Sequence, residues 1–293
     1  MAFTAGSLLR EAGRKLADAG FESASLDAQI LLAHVLKRSR EFLLIHSDVV
    51  LQQQEQAEFE LFVNRRLAGE AIAYIVGEKE FFNYKFKITP SVLVPRPETE
   101  LLVEHTLVFL QKVLQNISDE QQKTIRYHDT CTGSGCVGIS VKAMLPLIDV
   151  SVSDISKDAL AVCKTNMVAI VGYEIPYFES NLLDAVPGTF MCITANPPYV
   201  STDYTNMLME KKLKEPRIAL DGGVDGLDFY RKLIPDAYKK LQEGGALLVE
   251  IGEEQALSVC EMYSKTGFTD ITVYKDLAGH DRIVFGVKNE VLS

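Results

Sequence analysis

The chain lacks a basic surplus. Its 30 Lys and Arg residues face 40 Asp and Glu, a formal net charge of −10 over 293 residues. Capture of DNA or RNA backbones rests on basic surface, so this balance opposes unspecific nucleic-acid binding and suits a basic protein partner. The chain also lacks a run of roughly 18 apolar residues, so no membrane-spanning helix is expected. Its opening stretch, Met1 to Arg14, lacks the basic-then-apolar order of a secretory leader. The five cysteines, Cys131, Cys136, Cys163, Cys192 and Cys260, are odd in number, scattered, and without a Cys-x-x-Cys. This speaks against a disulfide framework and against a zinc site, and fits the reducing cytoplasm. His34, His46, His105, His128 and His280 have no metal-ligand spacing, which leaves them structural or surface roles. A monomer is expected, because no interface stripe stands out.

What is present begins with helical stripes. Hydrophobic residues make up 47 % of the chain, enough for one large domain or a domain with a smaller companion. Leu8, Leu9, Ala12, Leu16 and Ala19 fall on one helical face, and Ser25 can cap a second helix carrying Ile30, Leu31, Val35 and Leu36. Phe59, Phe62, Val63 and Leu67 form another stripe. Residues 1–80 therefore read as a helical domain built for packing, with nothing catalytic in it. Residues 81–94 read as a β-hairpin connector, from their partial alternation and their β-branched and aromatic types. Pro95-Arg96-Pro97-Glu98-Thr99-Glu100 breaks that pattern and starts a helix, with acidic residues at its positive end. Gln115 to Lys123 reads as a polar surface loop.

From residue 124 strands and helices alternate. The strand candidates are 124–128, 149–153, 175–178, 191–195, 246–251, 269–274 and 282–287. Helices are expected over 137–145, 157–171, 227–242 and 254–266. Such alternation specifies an α/β fold, with a mostly parallel sheet, helices on both faces and an antiparallel edge. The first strand runs into Asp129-Thr130-Cys131-Thr132-Gly133-Ser134-Gly135-Cys136-Val137-Gly138. Gly133 and Gly135 permit a tight turn and close approach of a ligand to the backbone. Asp154 ends the second strand, where a carboxylate accepts hydrogen bonds from both ribose hydroxyls of a nucleoside. Capping the following helix is the competing role, and Ser156 is equally able to fill it. To this point a nicotinamide cofactor and S-adenosyl-L-methionine both fit.

Asn196-Pro197-Pro198-Tyr199 separates them. It follows the apolar run Met191 to Ala195, and its two prolines fix two φ angles and remove two backbone donors. The chain must leave the sheet there as a stiff loop, holding an amide and an aromatic ring at a strand's carboxyl end. Alone, such a turn can be mere punctuation. With the glycine loop it resembles the motif of S-adenosylmethionine-dependent methyltransferases that act on planar amide or amine nitrogens.

The resemblance extends further. Pro95 to Glu100, Asn196 to Tyr199, Glu215-Pro216-Arg217, Asp221 to Arg231, Glu250-Ile251-Gly252 and Asp276 to Arg282 look like the HemK/PrmC family across nearly the whole chain. The resemblance implies a Rossmann-like, seven-stranded class I methyltransferase sheet over 95–293. It makes the helical domain a substrate-recognition module. It implies methylation of the glutamine side-chain nitrogen in the Gly-Gly-Gln loop of peptide-chain release factors, with no direct nucleic-acid contact. The donor would be held by Cys131, Thr132, Gly133, Ser134, Gly135, Asp154, Asn181, Leu182 and Asn196. Asn196 and Pro197 would orient the substrate amide, with Pro198 and Tyr199 packing beside it. No general base is demanded, since the proton can leave after methyl transfer. Leu93, Val94 and Arg96 are placed near the donor pocket.

Two positions depart from the family pattern. Asn181 stands where Asp is usual, and Cys131 stands where Gly is common, so position 131 is expected to avoid positive φ. Glu215 and Arg217 are expected to pair, and Gly222, Gly223 and Gly226 to serve a turn into the next helix. Methylation of a ribosomal-protein glutamine is the nearest alternative. An adenine-N6 DNA methyltransferase would need a basic reading surface. A fold that only binds a partner is disfavoured by the intact Gly133, Gly135, Asp154 and Asn196.

Overall fold

The computed structural model describes residues 4–115, 117–210 and 214–289. The ends of the two expected domains (1–3 and 290–293) and Asn116 of the expected polar loop lie outside them. The chain divides into two units: Met1–Glu78 with Lys211–Lys214, and Lys79–Glu210 with Glu215–Ser293.

The first unit is helical: α1 Ala5–Asp18, α2 Ala24–Leu36, α3 Arg40–Ile45, α4 Gln53–Leu67 and α5 Ile72–Val76. Thr4 caps α1, accepting from Ser7 N at 3.3 Å in a reciprocal capping box. The expected stripes bury Leu8, Ala12, Leu16, Leu31, Val35, Phe59, Phe62 and Val63 in one apolar core, while Ala19 is exposed. Ser25 is not the cap of α2. The helix begins one residue before it, and Ser23 in the flanking position donates to Asp27 Oδ1 at 2.9 Å. Buried Asp27 also receives Arg66 Nε at 2.8 Å, and the same guanidinium lies 4.1 Å from the Phe21 ring centroid. A tertiary ion pair has claimed the first-turn acid of α2.

The hairpin strands are β1 Glu78–Phe81 and β2 Tyr84–Lys87. They start before residue 81 because Phe82 and Asn83, both at positive φ (48° and 65°), make a two-residue turn that suits strand twist. Glu100 Oε1 accepts Phe82 N at 2.9 Å, and Asn166 bonds both the N–H and the carbonyl of Lys87. A 3-10 turn, Pro97–Thr99, leads into α6 Glu100–Leu114. The expected polar loop contains a short helix, α7 Asp119–Gln122, nucleated by a capping box between Ser118 and Gln121.

The remaining elements are β3 Arg126–Thr130, α8 Cys136–Met144, β4 Asp149–Asp154, α9 Lys157–Val171, β5 Tyr177–Glu179, β6 Phe190–Ala195, α10 Thr202–Glu210, a 3-10 turn Arg217–Ala219, α11 Asp228–Lys240, β7 Leu241–Glu250, α12 Ala256–Thr266, β8 Phe268–Lys275 and β9 Asp281–Lys288. The seven-stranded sheet runs β5-β4-β3-β6-β7-β9-β8. Its first five strands are parallel, and β9 and β8 are added antiparallel, giving the expected sheet with its antiparallel edge. Helices α6, α8 and α9 pack in series, and α11 packs on α12, so helical layers flank the sheet. Completely buried Ile193, Leu247, Val249, Tyr230, Leu233 and Val259 form part of the core beneath β6 and β7. His128 is buried in β3, with its ring nitrogens 2.9 Å from Ser151 Oγ and Ser153 Oγ. Burial pushes it down to about 3, so it is a neutral structural bridge.

The strand order reverses direction around β3, with β4 on one side and β6 on the other. Crevices of open α/β sheets form at such a point, beyond the carboxyl ends of the strands.

Candidate active site

Register brings the chemistry together. Thr130 of β3 is paired with Ser153 of β4 and with Ala195 of β6. The next residues on these three neighbouring strands are Cys131, Asp154 and Asn196. Strands lie about 4.8 Å apart, so three sequence segments far apart in the chain emerge side by side. The cleft above them spans about 1010 Å³, open solvent included. Cys131, Thr132, Gly133, Ser134, Asp154, Asn181, Leu182, Asn196 and Pro198 line it, as do Leu93 and Arg96. Gly135, Pro197 and Tyr199 do not; they lie among the residues that shape the loops around it.

The loop after β3 is held from below. Asp129 is buried and accepts Thr132 Oγ1 at 2.6 Å, Thr194 Oγ1 at 2.7 Å and Gly138 N at 3.2 Å. Burial pushes its carboxyl up to about 6, and those three hydrogen bonds oppose the rise. Thr132 N returns to Ser153 O at 3.0 Å, which folds the loop back over β4. That reversal forces Cys131 to φ 57°, contrary to the expectation of negative φ there. A side chain in this region costs on the order of 1 kcal/mol. Gly135 has the stronger requirement. At φ 84°, a Cβ there would meet Ile139 Cδ1 at 2.5 Å and Cys163 Sγ at 2.6 Å.

Asp154 Oδ2 accepts Gly133 N at 2.8 Å, and Oδ1 accepts Ser156 N at 2.9 Å. Ser156, not Asp154, caps α9, taking Ala159 N at 3.1 Å. Burial raises the Asp154 carboxyl, and the backbone bonds from Ser156 and Gly133 hold it back. Each of its oxygens keeps a lone pair for a ligand in the cleft. After β5, Leu182 turns at φ 53° and buries its side chain, which leaves Asn181 exposed on the cleft wall.

The Asn-Pro-Pro-Tyr loop is clamped on two sides. Asn196 Nδ2 lies 3.3 Å from the oxygen of buried Thr99. Gln255 Nε2 donates to Tyr199 O at 3.0 Å and to Gly226 O at 3.1 Å, while its Oε1 accepts Gly252 N at 2.9 Å. Val200 pairs with the segment after the second 3-10 turn, giving to Leu220 O at 2.9 Å and accepting Gly222 N at 2.7 Å. Gly222 and Gly226 therefore do more than turn. A Cβ on Gly222 would meet Pro198 O at 2.7 Å, and one on Gly226 would meet Tyr199 O at 2.3 Å. Tyr199 is pushed up to about 12 by burial, so its phenol stays neutral.

The expected Glu215–Arg217 pair does not form. Buried Glu215 meets Arg96 Nη2 at 2.6 Å and lies 3.4 Å from Val94 N. Arg217, at the start of its 3-10 turn, reaches Asp221 one turn on at 2.9 Å. The Pro95–Glu100 segment is thus fastened to the wall of the cleft by a salt bridge from the far side of the sequence.

Asp129 and Glu250 have no assigned role in the sequence, and Thr99 has only a place at the start of its helix. Asp129 carried a usable signal, an acid at a strand end directly before a glycine loop. Glu250 also closes an apolar run, yet only the strand order reveals which residue it faces.

Two family models match the chain: PrmC N-terminal domain over residues 7–77 and Methyltransferase small domain over residues 108–224. The release factor glutamine methyltransferase of Thermodesulfovibrio yellowstonii is 37% identical over 275 residues, covering 91% of this chain and 93% of that one. A bifunctional methyltransferase of Rickettsia felis is 35% identical over 305 residues. That match takes in 97% of this chain and 58% of the longer relative. A solved methyltransferase structure from Pyrococcus furiosus superposes with a TM-score of 0.51 at 17% identity, over 82% of this chain and 100% of that one. This last likeness concerns the fold alone.

Proposed function

The chain belongs to the release factor glutamine methyltransferase family, and from that premise we propose that it methylates the Gly-Gly-Gln glutamine of peptide-chain release factors. The single observation that carries the reading is the in-register convergence of Asn196 with Asp154 and the glycine loop in one cleft.

The cleft fits S-adenosyl-L-methionine as the donor. It is roomy and offers a carboxylate with free lone pairs in Asp154. It also holds a buried hydroxyl, Ser134 Oγ, with no partner among the described residues. Asp154 would take the ribose hydroxyls, Asn181 and Leu182 the adenine, and Cys131 to Gly135 the remaining chain. Bound there, the donor supplies a methyl group already activated by its sulfonium charge.

The residues' own task is orientation. A glutamine amide nitrogen is a weak nucleophile, because its lone pair is delocalised into the carbonyl. Asn196 Oδ1 and the Pro197 carbonyl each accept one hydrogen of the substrate NH₂. Together they fix the plane of the amide and turn one face of the nitrogen toward the methyl group. Both bonds strengthen as the nitrogen becomes positive in the transition state. Tyr199, neutral and held by Gln255, packs against the flat group. Pro197 and Pro198 keep the loop stiff, so the geometry is preset before substrate arrives.

The helical unit would grip the release factor outside its reactive loop, and the enzyme would act as a monomer on this protein substrate. Among the described residues no helix is long and apolar enough to cross a membrane. Purified protein with labelled donor is expected to modify a release factor and to leave its Gly-Gly-Gln→Gly-Gly-Ala variant unlabelled. Equal labelling of the variant would remove the assigned target.

A further inference from the structure

Glu250 ends β7 directly beside the Asn-Pro-Pro-Tyr loop. Ala195 and Val249 are paired across the parallel strands, so Asn196 and Glu250 are the next residues in register. The Glu250 side chain is outside the cleft lining and only 2 % of the residue is exposed. Its Oε2 has no hydrogen-bond partner among the described residues. A buried carboxyl with an idle oxygen is destabilising, and native structures seldom keep one without a use. The neighbouring Thr99 and Asn196 side chains favour the ionised form of this carboxyl.

We propose that Glu250 is the positioning residue that decides which end of the Asn196 amide faces the substrate. This rests on the reading of Asn196 as the substrate-orienting amide. An ionised carboxylate only accepts hydrogen bonds. Thr99 Oγ1 accepts from Asn196 Nδ2 at 3.3 Å, which leaves its single hydroxyl hydrogen for the Glu250 carboxylate, whose ionised form Thr99 favours. The NH₂ end of Asn196 is thereby drawn toward Thr99 and Glu250. Oδ1 is left at the other end, where an acceptor for the substrate amide is needed. A flipped Asn196 would set its oxygen against the carboxylate and offer the substrate two donors that it cannot use.

The arrangement is sensitive to protonation. Among the described residues, the charged and titratable groups that bear on Glu250 include Glu98 beside Thr99, Tyr199 of the loop, Arg282 of β9, Tyr230 of α11 and Cys136 of α8. Burial pushes the carboxyl up to about 7, Thr99, Arg282 and Asn196 hold it down, and Glu98 raises it. A protonated carboxyl can donate, so it holds the flipped amide as well as the productive one. Turnover is therefore expected to fall as the pH drops through about 7, because the ionised form is the one that orients Asn196.

The test is steady-state methylation of a release factor across pH 6–8, with donor binding measured in parallel, for wild type, Glu250→Gln, Thr99→Val and Asn196→Ala. Misplacing a reacting group in this way lowers rate by about 10²-fold. Glu250→Gln should lower kcat by that order, lose the acidic limb of the kcat profile, and bind donor within about twofold of wild type. Wild-type kcat in Glu250→Gln overturns the proposal, and so does a reduced kcat that keeps the acidic limb. Should Glu250→Gln fail to fold, Thr99→Val carries the test: it should lose about 10-fold in kcat with donor binding intact, and full activity overturns the proposal. An active Asn196→Ala would instead remove the underlying reading of the site. An inactive Asn196→Ala beside a fully active Glu250→Gln removes this inference alone.

Discussion

The two units of the chain bury charge in opposite ways. In the helical unit Asp27 is 4 % exposed and partnered on both oxygens, by Ser23 just before its own helix and by Arg66 on α4. In the sheet unit Glu250 is 2 % exposed with an oxygen left idle, and Ser134 Oγ is buried in the same state. Asp129 and Asp154 are satisfied on the loop side and keep carboxyls raised by burial. The first pattern is what packing produces when stability alone is at stake. The second places unused hydrogen-bonding capacity, in Glu250 and Ser134, at the carboxyl edge of the sheet at a cost in stability. The difference locates the chemistry more sharply than residue type does, since both units hold buried carboxylates.

The comparison can be broken by perturbing each side and reading both stability and activity. The largest effect is expected from Asn196→Ala. Loss of a preset acceptor at the reacting nitrogen should lower kcat by about 10²–10³-fold, with donor affinity and thermal midpoint nearly unchanged. Stopped turnover assays with donor titration check it. If donor binding vanished while turnover per bound donor stayed normal, Asn196 would belong to the donor site and not to orientation.

Arg66→Ala should have the reverse signature. Removing one partner of a buried pair leaves Asp27 uncompensated, a loss of about 3 kcal/mol, and the Phe21 contact goes with it. Denaturant unfolding should show that loss, while donor affinity of the folded protein stays at its wild-type value. A neutral Arg66→Ala would mean that the pair is no more than surface decoration, and the contrast between the units would fade.

Asp154→Ala should weaken donor binding by roughly 1.5–3 kcal/mol, the range of hydrogen bonds to a charged group. Stability should move little, because Ser156 remains to cap α9. Isothermal titration with the donor product measures this directly. Unchanged affinity would return Asp154 to a structural role as a support for Gly133.

The smallest effect belongs to Cys131→Gly. The substitution relieves a side chain at φ 57° and forfeits a little packing against the core. A gain of about 0.5 kcal/mol is expected, with kcat retained. Destabilisation would show that the Cys131 contacts outweigh its backbone strain.

Much of this site was legible in the sequence because turn chemistry is local. Two glycines, a strand-ending acid and a double proline announce where the chain leaves the sheet, whatever packs around them. The alternation of strands and helices was legible for the same reason. What escaped was set by register and tertiary pairing. β7 begins at Leu241, five residues before the expected Ala246, because Gln242-Glu243-Gly244-Gly245 reads as a turn while Leu241 pairs with Phe190 across the sheet. Ser25 looked like a cap, but the helix starts before it, with Ser23 bonded to Asp27 and Asp27 paired with Arg66. Cys131 looked free of strain until the return of Thr132 N to Ser153 O fixed its φ. Glu215 and Arg217 look like partners two residues apart, yet each answers to a residue elsewhere. Glu250 had no readable role, since only strand order puts it beside Asn196.

The stiff loop is proposed to present a protein glutamine amide to the methyl donor held by the glycine loop and Asp154. The most direct measurement is mass spectrometry of a release factor after incubation with the purified protein and S-adenosyl-L-methionine. The expected product carries a single added methyl group on the side-chain nitrogen of the Gly-Gly-Gln glutamine, absent with Asn196→Ala. A methyl group at any other residue, or one that persists with Asn196→Ala, would contradict it.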